Sequence, residues 1–281
     1  YTLSLHDALP ILVDVKVGMS TITYPTGKMN LSRMEKLVRE LTDLSNQGRE
    51  ILLVTSGAIA VGMDRMGKKK RPRAIPERQA LAAVGQGALM HAYGSLFAAY
   101  GKMAGQVLLT KENSLRHHQY TNSRNALKAM LAMGVLPVIN ENDAVAVDEV
   151  KIGDNDTLSA TVATLVDADV LILLSDVEGL YTANPQTDKA ARLIPEVREI
   201  TPEIEALAGD AGSAAGTGGM RTKIEAAKMA MSAGVTMVIA RGDEDGVIRA
   251  ILSGEEVGTL FPAKEGQPRS EERRVGKECR S

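Results

Sequence analysis

The chain has 281 residues, 44% of them hydrophobic, and a formal net charge of -2. That is apolar content enough for one large core or two small lobes, and too little positive charge for a protein whose main partner is nucleic acid or an anionic membrane. No apolar run approaches the roughly 18–20 residues needed to span a bilayer, residues 1–11 lack the basic start and long apolar middle of a signal peptide, and the single cysteine, Cys279, excludes an intramolecular disulfide framework and a multi-cysteine zinc site. A soluble, cytoplasmic, metabolic protein is expected. Aromatic residues make up 3% and tryptophan is absent, which leaves little for a base-stacking surface.

The two ends read differently from the chain between them. Residues 1–11 (YTLSLHDALPI) and 269–281 (RSEERRVGKECRS) can be encoded by strings that are close to reverse complements of one another. Both are expected to be artefactual tails, translated from a sequencing adapter, and both are set aside from fold reasoning. The alternative is an ordinary leader and an ordinary charged tail. The expected domain covers residues 12–262, with 263–268 as a linker or truncated end.

In chain order, short apolar runs bounded by Gly, Pro, Asn or Asp fall at Leu12–Val17, Ile51–Val54, Gly105–Leu109, Leu136–Ile139, Val170–Leu174 and Thr236–Ile239. Runs of this kind are what strands buried on both faces of a sheet look like. Between them lie helical patterns. Leu31–Asn46 carries Met34, Leu37, Val38, Leu41 and Leu44 at three- and four-residue steps, and Arg124–Met133, Leu158–Val166 and Arg221–Ala233 behave likewise. The alternation predicts an α/β fold, a mostly parallel central sheet covered by helices on both faces. The dense basic run Lys68–Arg73 reads as a solvated loop, with a phosphate-steering or partner-binding patch as the alternative.

Six segments carry candidate chemistry. In Val15–Ser20 (VKVGMS) a strand ends in Lys16 and enters a glycine loop, so a fixed positive charge lies beside approachable backbone N–H groups. A merely solvated lysine is the plainer reading. Val54–Ala60 (VTSGAIA) puts Ser56, Gly57 and free amides where a helix begins, a place for a carboxylate or phosphate or else an ordinary N-cap. Pro137–Asp143 (PVINEND) ends a strand in polar residues. There Asp143 can accept from an ammonium group while Asn140 and Asn142 orient carboxylates, or the segment is a self-satisfied Asn-rich turn. Lys151–Ser159 (KIGDNDTLS) sets Asp154, Asn155 and Asp156 before a helix, inviting a magnesium ion, a positioned lysine, or simple capping by Asp156. In Leu174–Tyr181 (LSDVEGLY), Ser175 and Asp176 follow a strand. Ala215–Lys223 (AGTGGMRTK) leads into a helix and reads as a phosphate cradle or a flexible linker. It lacks the Gly-Lys-Ser/Thr of a Walker A box.

Taken in order, these segments resemble the amino acid kinase family, and within it the members that phosphorylate free glutamate. INENDAV, KIGDND and GTGGMRTK together carry the likeness, which runs from about Leu12 to Phe261. The resemblance implies the family's three-layer α/β/α sandwich and the use of ATP with Mg2+. The implied reaction is phosphorylation of the L-glutamate side-chain carboxylate to L-glutamyl 5-phosphate, the first step of proline biosynthesis. It also implies roles: catalytic for Lys16, Asp156 and Lys223; substrate-binding for Ser56, Gly57, Asp143 and Asn155. Nucleotide-binding is implied for Lys16, Ser175, Asp176, Thr217, Gly218, Gly219, Met220, Arg221, Thr222 and Lys223. No residue is singled out as a direct metal ligand. Proline as a feedback inhibitor and a homo-oligomer are implied in the same way. Two positions depart from the pattern: the family has an apolar residue where Asp14 stands and threonine where Met19 stands. Two other readings stay open, a kinase of the same fold acting on another amino acid or acyl-amino acid, and an inactive ligand-binding fragment.

Overall fold

The computed structural model describes residues 11–110, 117–145, 155–209 and 219–264. The two end segments set aside above lie outside these residues, Ile11 excepted. Seven strands form one sheet: β1 (Leu12–Val17), β2 (Glu50–Val54), β3 (Met103–Leu109), β4 (Val135–Glu141), β5 (Val170–Ser175), β6 (Thr236–Arg241) and β7 (Thr259–Phe261). Their order is β3-β4-β2-β1-β5-β6-β7. All neighbours are parallel except β6 and β7. The described helices are α1 (Met19–Ile22), α2 (Leu31–Asn46), α3 (Ala58–Arg65), α4 (Ile75–Ala99), α5 (His117–Ala132), α6 (Asn155–Leu165), α7 (Pro202–Gly209), α8 (Met220–Ser232) and α9 (Val247–Leu252).

Strand pleating splits the core in two. Val13, Val15 and Val17 of β1 point to one face and pack with Met34, Leu37 and Leu41 of α2, Leu89 and Tyr93 of α4 and Ile248 of α9. Leu12 points to the other face, with Leu158 and Val162 of α6 and Ile224 and Ala227 of α8. Three layers result, as expected from the alternation of apolar runs and helical patterns. The six predicted strands are all present, each within two residues of its predicted start and end, and α2 occupies the predicted residues. The seventh strand, β7, was not predicted. It is three residues long, too short for a periodic signal.

Helix α4 was not predicted either, although it is 25 residues long. Its apolar and small residues are spread around the whole circumference, so no stripe marks a face. Glycines there serve close packing on α3. A Cβ at Gly85 would lie 1.7 Å from the carbonyl oxygen of Ala58, and one at Gly62 would lie 1.9 Å from that of Leu81. Backbone atoms cannot move aside as side chains do. Gly85→Ala should therefore cost about 3 kcal/mol, near the upper end for overpacking, read as a lower urea midpoint. An unchanged midpoint would show that α3 and α4 are not locked at this distance.

Candidate active site

The parallel strands β1, β2, β4 and β5 all end at one edge of the sheet, and a ligand crevice forms there in open α/β folds. Lys16 is the penultimate residue of β1. It lies on the strand face opposite Val15, only 3% exposed, and its Nζ donates to Asp156 Oδ1 at 2.5 Å. Asp156 stands in the first turn of α6 and is fully buried. Its second oxygen, Oδ2, accepts from Lys223 Nζ of α8 at 3.0 Å and from the Thr222 hydroxyl at 2.9 Å. One carboxylate thus holds ammonium groups from two elements that are far apart in sequence. Of the alternatives open for the GDND segment, Asp156 takes that of organising lysines. The three side chains together carry a net positive charge in a buried place, where it acts strongly on an anion.

Around this centre lie the two glycine loops. Gly18 donates its backbone N–H to the Leu174 carbonyl at 3.2 Å, tying the loop after β1 to the end of β5. Ser175 and Asp176 follow directly, and the Ser175 hydroxyl donates to Asp176 Oδ1 at 3.0 Å. Gly57, at φ 93°, begins α3 in the left-handed region that favours glycine. A Cβ there would come within 3.5 Å of Met19 Cγ, so Met19 lies against the Ser56–Gly57 turn, partly exposed.

A second group of polar side chains lies beside the lysine centre. Asn155 Nδ2 donates to the Thr55 carbonyl, to Asn140 Oδ1 at 2.8 Å and to Ser56 Oγ at 3.2 Å. Asn140 Nδ2 donates in turn to Gln86 Oε1 of α4 at 2.7 Å. Thr55 is joined to Tyr93 by a hydroxyl–hydroxyl hydrogen bond of 2.9 Å, and burial pushes the Tyr93 phenol well above its ordinary range. Asp143 and Gln86 line a cavity of about 310 Å³ between α4 and the ends of β3 and β4. Burial raises the Asp143 carboxyl above its usual value, and the positive charge of Arg71 opposes that rise. Arg71 belongs to the basic run, whose described residues lie in an exposed loop apart from the half-buried Pro72.

The expected residues therefore divide. Lys16, Asp156, Lys223 and Thr222 meet directly, and Ser56 meets Asn155. Asp143 stands at the cavity that Gln86 also lines, and Gly57, Ser175 and Asp176 border the strand ends. Gly219 caps α8 and Met220 starts it. Arg221 points away, with its side chain 82% exposed and an i,i+4 ion pair to Glu225 at 3.3 Å. Thr217, Gly218 and Asp154 lie outside the described residues. Asn140 is 2% exposed, and it bonds to the amides of Gln86, Asn155 and the Glu141 backbone. Gln86 went unnoticed in the sequence, where its one signal is an amide flanked by glycines inside an apolar helix. Among the described residues no group of three His, Cys, Asp or Glu side chains could hold a metal ion, and no helix is long and apolar enough to cross a membrane.

Comparison with known proteins assigns the family. Residues 13–241 match the model of the amino acid kinase family. The chain belongs to that family. Among curated family relatives, glutamate 5-kinase of Moorella thermoacetica is 57% identical over 259 residues, covering 92% of this chain and 68% of the relative. Glutamate 5-kinase of Clostridium acetobutylicum is 52% identical over 250 residues, covering 89% of this chain and 94% of the relative. The crystal structure of UMP kinase from Bacillus anthracis superposes with a TM-score of 0.58 at 17% identity, over 92% of this chain and 98% of that one. It shares the fold alone.

Proposed function

We propose that this chain is a glutamate 5-kinase, transferring the γ-phosphoryl group of ATP to the side-chain carboxylate of L-glutamate. The observation that carries the reading is the shared carboxylate of Asp156, which fixes Lys16 and Lys223 at one point beside a glycine turn. Phosphoryl transfer asks for positioning and for cationic cover on the phosphoryl oxygens more than for covalent chemistry. Lys16, near the end of β1, and Lys223, at the start of α8, provide that cover from two sides. A glutamate carboxylate is already ionised at neutral pH, so it attacks the phosphorus without a general base. The bond from phosphorus to the bridging oxygen breaks, ADP leaves with the electron pair, and an acyl phosphate forms.

Asp143 and Asn155 are assigned to the amino acid, Ser56 and Gly57 to the turn that receives it. Ser175, Asp176 and the segment Thr217–Lys223 are assigned to the nucleotide, with Arg221 outermost. ATP suits the buried cationic centre. Mg2+ is taken to arrive with the triphosphate, since the described residues build no cage for the ion by itself and the Asp156 oxygens are engaged by lysines. A cytoplasmic location, the first step of proline synthesis, inhibition by proline and a homo-oligomer belong to the same proposal and rest on the family resemblance.

The test is ADP release with L-glutamate, L-aspartate and N-acetylglutamate as acceptors. Turnover with glutamate alone is expected. Lys223→Ala should lower kcat by roughly two to three powers of ten, as for loss of one electrostatic stabiliser. Unchanged turnover in that variant would remove Lys223 from the mechanism.

A further inference from the structure

Gln86 belongs to no segment with assigned chemistry, yet its placement is costly. It is 7% exposed, and its Nε2 has no hydrogen-bond partner among the described residues. A buried amide donor left unmade costs more than an apolar side chain of the same shape. What the residue does provide is an acceptor, because its Oε1 takes the 2.7 Å hydrogen bond from Asn140 Nδ2.

That one bond orders the amides beyond it. With Nδ2 turned to Gln86, Asn140 must present Oδ1 the other way, where it accepts from the Glu141 backbone N–H at 2.9 Å and from Asn155 Nδ2 at 2.8 Å. Asn155 therefore has two inward anchors, Asn140 Oδ1 and the Thr55 carbonyl. Two anchors fix the plane of a terminal amide, whereas one leaves it to swing about a broad torsion. Among the described residues the side-chain hydrogen bonds of Asn155 leave from Nδ2, with the Ser56 hydroxyl as third acceptor. Oδ1 is thus the atom of that amide kept for a ligand, and a carbonyl oxygen accepts only from a donor. Such an oxygen suits an ammonium group and not a carboxylate.

We propose that Gln86 is a positioning residue for amino-acid selection, holding Asn140 so that Asn155 presents an acceptor to the free α-ammonium group of the substrate. The inference rests on glutamate being the acceptor. Without the Gln86 carbonyl, the buried Nδ2 of Asn140 must turn to find another partner, and Asn155 keeps the Thr55 carbonyl as its one inward anchor, with the Ser56 hydroxyl beside it.

Steady-state kinetics of Gln86→Met, with glutarate as an inhibitor that lacks the ammonium group, read this directly. The KM for glutamate should rise about tenfold, the scale of one hydrogen bond to a charged group. Values of kcat, the KM for ATP and the inhibition constant of glutarate should stay within about twofold of the parent. Gln86→Glu keeps the acceptor and should restore the KM for glutamate. Asn140→Leu cuts the relay from its other side and carries the same expectation, so it decides the matter if Gln86→Met does not fold. An unchanged KM, an equal loss for glutamate and glutarate, or no recovery in Gln86→Glu would overturn the proposal. A parent protein with no turnover of glutamate would overturn the glutamate reading itself, before any substitution is made, and this inference would fall with it.

Discussion

Replacing Asp156 with asparagine should reduce turnover by at least two to three powers of ten while the protein stays folded. The carboxylate joins β1, α6 and α8 electrostatically, through Lys16 at 2.5 Å and Lys223 at 3.0 Å. An amide has one oxygen where the carboxylate has two. Its oxygen can replace one carboxylate oxygen, serving either Lys16 or Lys223 with Thr222, and it must turn an NH2 toward the other lysine. The lysines then lose their common reference point, and a displacement of about 1 Å is enough to cost a hundredfold in rate. Asp156→Ala should be worse for stability, since removing one partner of a buried ion pair costs about 3–5 kcal/mol. Turnover and urea unfolding measured on both variants separate the two effects. Parental turnover in Asp156→Asn would mean that the shared carboxylate is not what sets the two lysines.

The second large effect lies one pleat further down the same face of the same strand. Asp14 is fully buried, paired in register with Leu52 of β2 and Leu171 of β5, and among the described residues neither of its oxygens has a hydrogen-bond partner. Burial pushes its carboxyl well above the ordinary carboxylate range. Asp14→Val, a residue of similar size and high strand preference, should stabilise the fold by about 2–4 kcal/mol, the scale for a buried polar group without partners. In a domain of this size that raises the melting temperature by on the order of 10 °C.

The pH dependence has a definite sign. The folded state holds the Asp14 proton more tightly than the unfolded chain, whose Asp titrates near 4. Stability from this group is therefore complete below about pH 4 and is lost as pH rises through the higher folded value. Asp14→Val and Asp14→Asn should both abolish that decline, and only the valine should add the full stabilisation. A variant no more stable than the parent would show that Asp14 has polar partners in solution.

Much of this architecture was legible because strands buried on both faces leave a largely apolar signature, which β2, β4, β5 and β6 have and which in β1 is interrupted by Asp14 and Lys16. The cost of Asp14 was legible for the same reason, since any charge inside such a run must be buried. Helix α4 was not, because a helix enclosed on several sides shows no stripe. The site was legible as separate pieces. A lysine ending a strand says little by itself, and nothing in the spacing ties Lys16 to Asp156, 140 residues away. The fold makes that pairing by placing β1 beside β5 and laying α6 and α8 over their ends. The relay through Gln86 was hidden more deeply, since it joins a helix without a visible pattern to the polar end of β4. Arg221 is credited through its motif alone, and its side chain is turned to solvent, paired with Glu225.

The central claim is that two lysines held by Asp156 drive phosphorylation of a carboxylate, and hydroxylamine trapping tests it most directly. Acyl phosphates react with hydroxylamine to give hydroxamates, so the chain is incubated with Mg-ATP, hydroxylamine and one acid at a time. Hydroxamate formed with L-glutamate, in step with ADP, and absent with L-aspartate and N-acetylglutamate is the predicted result. A folded protein that binds ATP but forms no hydroxamate with any of the three would contradict the account.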